Sequence, residues 1–72
     1  MLSKREREIL ILACLPNKRI AKKLNLSVLT IQRRIVDLYD KYEIPSNVRT
    51  KAMLILEATQ AGDIKSEDLR KE

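Results

Sequence analysis

Apolar residues recur along this chain at helical spacing, and no stretch alternates as strictly as a strand would. Ser3-Lys4-Arg5-Glu6 fits the S-x-x-E capping box and precedes Ile9, Leu10, Leu12 and Ala13, which predicts a first helix over about residues 4–14. Leu15-Pro16 closes it, because the residue before a proline resists helical angles. Pro16 and Asn17 suit the start of a second helix near residues 17–24. Its buried face is Ile20, Ala21 and Leu24, and its wet face is Lys18, Arg19, Lys22 and Lys23. Asn25 can take the left-handed turn that ends a helix, Leu26 plugs that turn, and Ser27 caps the next helix. In this third helix, over about residues 28–43, Ile31, Ile35, Leu38 and Tyr42 form one core-facing stripe. Leu29, Arg33, Val36 and Asp40 project from the opposite side, flanked by Gln32 and Asp37. Pro45 and Ser46 interrupt the chain. A fourth helix is expected from Asn47 or Val48 to Ala61, stopped by Gly62. Residues 63–72 mix charges and are expected to fray, with one weak turn from Ser66. The prediction is an all-α fold, a four-helix bundle, with one domain over residues 1–62 and a charged tail beyond it.

Composition narrows the chemistry. The chain has 72 residues, room for one small domain. It has no His, which excludes a His general base and any His-containing zinc site. Its one cysteine, Cys14, can form no internal disulfide and no multi-cysteine metal site, and is expected to act as a small buried hydrophobe. No catalytic residue, cofactor or metal is expected. The reducing cytoplasm suits such cysteine usage. The longest apolar run, Ile9 to Leu15, falls far short of the ~18 residues that span a bilayer, so no membrane role is expected.

Charge changes the picture more. Residues 9–36 carry Lys18, Arg19, Lys22, Lys23, Arg33 and Arg34 and no acid, so this block holds more than the chain's whole net charge of +5. A block of this kind attracts polyanions, of which nucleic acid is the commonest. Within it, Ile20, Ala21, Leu24, Leu26 and Ile31 fall where two short helices need contacts across a tight turn, and small Ala21 permits close approach. That is the spacing of a helix-turn-helix, whose second helix lies in the DNA major groove while the first crosses the backbone.

The chain resembles the LuxR/FixJ-type (GerE-like) C-terminal DNA-binding domain of bacterial transcription regulators. Leu2-Ser3-Lys4-Arg5-Glu6-Arg7-Glu8-Ile9-Leu10 is similar to the family's opening L-T-x-R-E-x-E-V-L. The run from Leu15 to Leu24 is similar to L-S-N-K-E-I-A-x-x-L, and Ser27 to Arg34 to S-x-x-T-V-K-x-H. Arg49-Thr50-Lys51-Ala52 resembles the R-x-x-A that opens the last helix. The resemblance covers roughly residues 2–62. It departs in four places. Leu10 to Asn17 is two residues shorter than usual and lacks a customary Gly. Ile44 to Arg49 is about two residues longer. Glu43 stands where the family has Gly, and a left-handed angle there would strain it. Gln32 and Arg34 replace the usual Lys and His. Region four of sigma factors shares the helical layout and is the alternative relative.

The resemblance implies sequence-specific binding of double-stranded DNA, in a regulator of the response-regulator or ligand-responsive type. It implies that Gln32, Arg33 and Val36 face base edges, that Thr30 bonds a phosphate, and that Asn17 and Lys18 meet the DNA backbone. Residue chemistry agrees: Gln can bridge adenine, Arg can bridge guanine, and Val suits a thymine methyl. Ser27, Lys22, Lys23 and Arg34 extend the backbone-facing set; the two lysines read equally well as surface residues, and Arg34 could pair with Asp37 instead. The fourth helix is apolar nearly all round, so it should be buried on more than one side. The expected partner there is a second copy, held through Met53, Leu54 and Leu56, or else a regulatory domain N-terminal to this one; RNA polymerase is a further implied partner. A helical protein-interaction module is the competing function.

Overall fold

The computed structural model describes residues 2–65, 67 and 68. Among these the chain forms four helices and no strand: α1 (Lys4–Ile11), α2 (Asn17–Leu24), α3 (Val28–Lys41) and α4 (Lys51–Gln60). The capping box at the start of α1 forms as predicted. The Glu6 N–H donates to Ser3 Oγ (3.1 Å), and the Ser3 N–H donates to Glu6 Oε1 (2.9 Å). The helix stops at Ile11, three residues before the expected end. From there the Ala13 and Leu15 N–H groups bond the carbonyls of Leu10 and Leu12, tighter turns that carry the short connection to Pro16. This unwinding points Cys14 outward, so it is exposed rather than buried, while Leu12 and Ala13 stay in the core.

α2 ends where predicted. Asn25 sits in the left-handed region (φ +57°), and the Leu26 N–H donates to the Ala21 carbonyl (2.8 Å). Ser27 caps α3 by accepting the Thr30 N–H (3.0 Å). α3 ends at Lys41, two residues short of expectation, through the same left-handed device. Glu43 takes φ +57° despite its side chain, and the Ile44 N–H reaches back to the Tyr39 carbonyl (2.9 Å). The connection to α4 is the longest, as expected. It holds a short 3-10 turn at Ser46–Val48, where the fourth helix was expected to begin. Arg49 and Thr50 are extended, and the Thr50 hydroxyl caps α4 by accepting the Met53 N–H (3.2 Å). That hydroxyl directly before the apolar run was a legible start signal. α4 ends at Gln60, with Gly62 at φ +79°.

Ile9, Leu10, Ile20, Ile31, Leu38 and Leu54 are fully buried and form the centre of one core shared by all four helices. Polar ties fix the connections around it. Arg49 lies over the Tyr39 ring, with its guanidinium carbon 5.3 Å from the centroid. It donates from Nε to the Ile44 carbonyl (3.0 Å) and from Nη2 to Asp40 Oδ1 (2.6 Å), joining the end of α3 to the start of α4. Lys51 donates from Nζ to the Leu15 carbonyl (2.8 Å), and burial there holds its pKa below the usual lysine range.

Past Gly62 the chain does not simply fray. Ile64 is buried in the core, Tyr42 donates its hydroxyl to Asp63 (2.5 Å), and buried Asp68 accepts from Arg7 (3.0 Å). An apolar residue two places after the helix stop brings this segment back onto the bundle. The expected turn at Ser66 and residues 69–72 lie outside the described residues.

Candidate nucleic-acid interface

α2 and α3 meet across a three-residue turn, Asn25 to Ser27. Buried Ile20 and Ala21 lie against buried Ile31 and Ile35, and half-buried Leu24 and Leu26 close the junction. With these apolar positions turned inward, helical geometry sends the remaining side chains outward. On α2, Lys18, Arg19, Lys22 and Lys23 are exposed, and Arg19, Lys22 and Lys23 line a shallow cleft. On α3, Gln32, Arg33, Arg34 and Val36 are exposed, and so is Leu29. The three residues expected to face base edges, Gln32, Arg33 and Val36, therefore share one open face beside the basic side of α2.

Four carboxylates are engaged elsewhere. Glu6 pairs with Lys41 (3.4 Å), Glu8 with Arg5 (3.5 Å), Asp40 with Arg49 (2.6 Å) and Asp68 with Arg7 (3.0 Å). Among the described residues, Lys18, Arg19, Lys22, Arg33 and Arg34 have no carboxylate within ion-pair distance. Arg34 therefore does not make the alternative pair with Asp37. Arg5, Arg7, Lys41 and Arg49 are paired on the other faces while these five cations stand open on the α2–α3 face, which is the footprint of a polyanion-binding surface.

Ser27 and Thr30 prove to be coupled. Their hydroxyl oxygens lie 2.8 Å apart, and Ser27 Oγ also accepts the Thr30 N–H. Whichever hydroxyl donates to the other, a single O–H remains to meet a phosphate at this helix start. Asn17 is only half open. Its Oδ1 is buried and meets no donor, so the amide nitrogen is the end that could donate to a phosphate.

The fourth helix corrects one expectation. Leu54 is fully buried beside Ala58 in the chain's own core and cannot serve as a contact with a second copy. Leu56 is 47% exposed, Met53 is half-buried, and exposed Ala52 and Val48 lie near them along the chain. α4 thus buries one side within this chain and leaves the other open, as the expectation of a partner surface there requires. Sequence reasoning missed the alignment of Leu29 with the base-facing residues as a feature of its own, although its position on that face was legible.

Among the described residues no cluster of Cys, Asp and Glu could hold a metal ion, and no helix is long and apolar enough to cross a membrane. Comparison with known proteins gives one family: the model for bacterial regulatory proteins of the luxR family matches residues 1–57. No curated protein and no solved structure matches the chain.

Proposed function

The chain belongs to the luxR family of bacterial regulatory proteins, a family of DNA-binding helix-turn-helix domains and not of enzymes, and from that premise we propose that α3 reads double-stranded DNA in the major groove. The observation that carries this is the open face of Gln32, Arg33 and Val36 beside Lys18, Arg19 and Lys22 of α2, which have no carboxylate within ion-pair distance among the described residues. On this reading Gln32 bridges adenine, Arg33 bridges guanine and Val36 meets a thymine methyl. Lys18, Lys22, Lys23 and Arg34 contact phosphates, joined by the amide of Asn17 and the free hydroxyl of the Ser27–Thr30 pair. The N-terminus of α3 adds its dipole to that phosphate site. The chain acts in the cytoplasm as the effector part of a regulator whose signal-receiving domain lies N-terminal to it. It pairs with a second copy through the exposed side of α4, around Leu56 and Met53.

The test separates base reading from phosphate binding. Sites are selected from a random DNA pool, and variants are titrated against selected and scrambled duplexes at several salt concentrations. Arg33→Ala should lose about 1–3 kcal/mol on the selected duplex and little on the scrambled one, relaxing one base position. Lys22→Ala should weaken both alike and reduce the salt slope by about one. Equal losses on both duplexes for Arg33→Ala would reduce it to a phosphate contact. No loss on either would remove α3 from the groove.

A further inference from the structure

Leu29 is the most exposed large apolar side chain of the described residues, at 55%, and it stands on the DNA-facing side of α3 with no role yet assigned. Val36, at 47%, lies seven residues on. At about 100° per residue these two project within roughly 20° of each other, with Gln32 about 40–60° to one side and Arg33 to the other. The open face is thus an apolar ridge flanked by one amide and one guanidinium, in a block of chain that holds no acid between residues 9 and 36.

We propose that Leu29 is a second thymine reader, and that Leu29 and Val36 together require two thymine methyls about three base pairs apart in the DNA site. This rests on the major-groove reading above and narrows it to a class of sequence. The only apolar group on a major-groove edge is the C5-methyl of thymine; every other feature there is a donor or an acceptor. Leu29 has neither donor nor acceptor in its side chain. Set against any other base, it would strip water from a polar edge and return no hydrogen bond. Set against a methyl, both surfaces leave water with gain. Seven residues of helix rise about 10.5 Å, and successive base pairs are about 3.4 Å apart, so a helix lying along the groove places its two apolar contacts about three steps apart.

The experiment replaces each thymine of the selected duplex, one at a time, by deoxyuridine. This removes only the C5-methyl and leaves base pairing and the O4 acceptor intact. Affinity of the unmodified chain should fall about fourfold at each of two positions roughly three base pairs apart, the worth of one buried methyl. Leu29→Ala should erase the penalty at one of these positions and leave the other, and Val36→Ala should do the reverse. Both side chains are exposed, so circular dichroism and melting of the variants should match the parent. If deoxyuridine changes nothing anywhere while the selected duplex is still preferred over a scrambled one, the DNA reading stands and the thymine proposal falls. The proposal also falls if Leu29→Ala weakens binding equally on thymine and deoxyuridine duplexes. If no duplex is preferred over scrambled DNA, the major-groove reading falls, and the thymine proposal with it.

Discussion

Glu6 shows how one side chain can carry both a local and a distant duty. Its carboxylate accepts the Ser3 N–H that closes the capping box, and it also takes Lys41 from the far end of α3. The Ser3 N–H, and to a lesser degree Lys41, hold its pKa below the ordinary 4.5, against the opposing effect of burial. A carboxylate with a depressed folded pKa adds stability above its unfolded value, and that stability is lost as pH falls through the folded one. Glu6→Gln keeps an acceptor for Ser3 but drops the charge. The parent should therefore melt higher than this variant at neutral pH, and the two melting temperatures should converge as the pH is lowered beneath 4.5 and on through the depressed value. A constant difference across that range would mean that the charge contributes nothing. The Ser3–Glu6 pairing was legible because a capping box is local in sequence. The Lys41 contact was not, since it spans 35 positions and depends on how α1 meets α3.

At the scale of the element, three of the four helices end alike. Asn25, Glu43 and Gly62 each take a left-handed angle, and the residue after each donates back across the last turn. Only Glu43 is an unfavoured residue there, and the Arg49 ties to Ile44 and Asp40 hold the segment in place regardless. Glu43→Gly should therefore stabilise the fold by about 0.5–1 kcal/mol, and Gly62→Ala should destabilise it by about 1 kcal/mol, both read from urea denaturation. A methyl at Gly62 would meet nothing within 4 Å, so that loss would report backbone strain alone. α4 supplies the contrasting case. Because it is apolar on nearly every side, its periodicity singled out no buried face, and Leu54 was grouped with the exposed Leu56. Leu54→Glu would place an unpaired charge in the core and should unfold the chain, a loss of about 3 kcal/mol or more. Leu56→Glu should leave melting within about 0.5 kcal/mol of the parent and convert a dimer to a monomer in sedimentation. A parent that sediments as a monomer at high micromolar concentration would remove the pairing.

The whole molecule is small, with a radius of gyration of 11.2 Å, and it has little core to spare. That makes the return of the chain after Gly62 consequential. Ile64 is 2% exposed and packs in the same core as Leu54 and Ile9. Ile64→Ala should cost about 2–4 kcal/mol in urea denaturation, far more than trimming a frayed tail would. A cost under 0.5 kcal/mol would return this segment to the status of a loose extension. The charge layout is a property of the same scale. Glu6 and Glu8 on α1, Asp40 on α3 and Asp68 near the chain end are paired with basic residues outside α2, while Lys18, Arg19, Lys22, Arg33 and Arg34 keep the α2–α3 face cationic.

Sequence alone determined that four helices form, the caps at Ser3, Asn25 and Ser27, and the open face of α3, because these follow from short-range rules. Ser3 with Glu6, Asn25 with Ser27, and the stripe Ile31, Ile35 and Leu38 all act within a few turns of chain. It also marked Gln32, Arg33 and Val36 as exposed, since a helix with one buried stripe has only one opposite side. Tertiary structure alone decided which side of the evenly apolar α4 is buried, where α1 unwinds and turns Cys14 outward, and that Ile64 completes the core. These outcomes depend on how much apolar surface each neighbour leaves uncovered. That quantity belongs to the packed assembly and to no single segment, because burial is shared among surfaces distant in the chain.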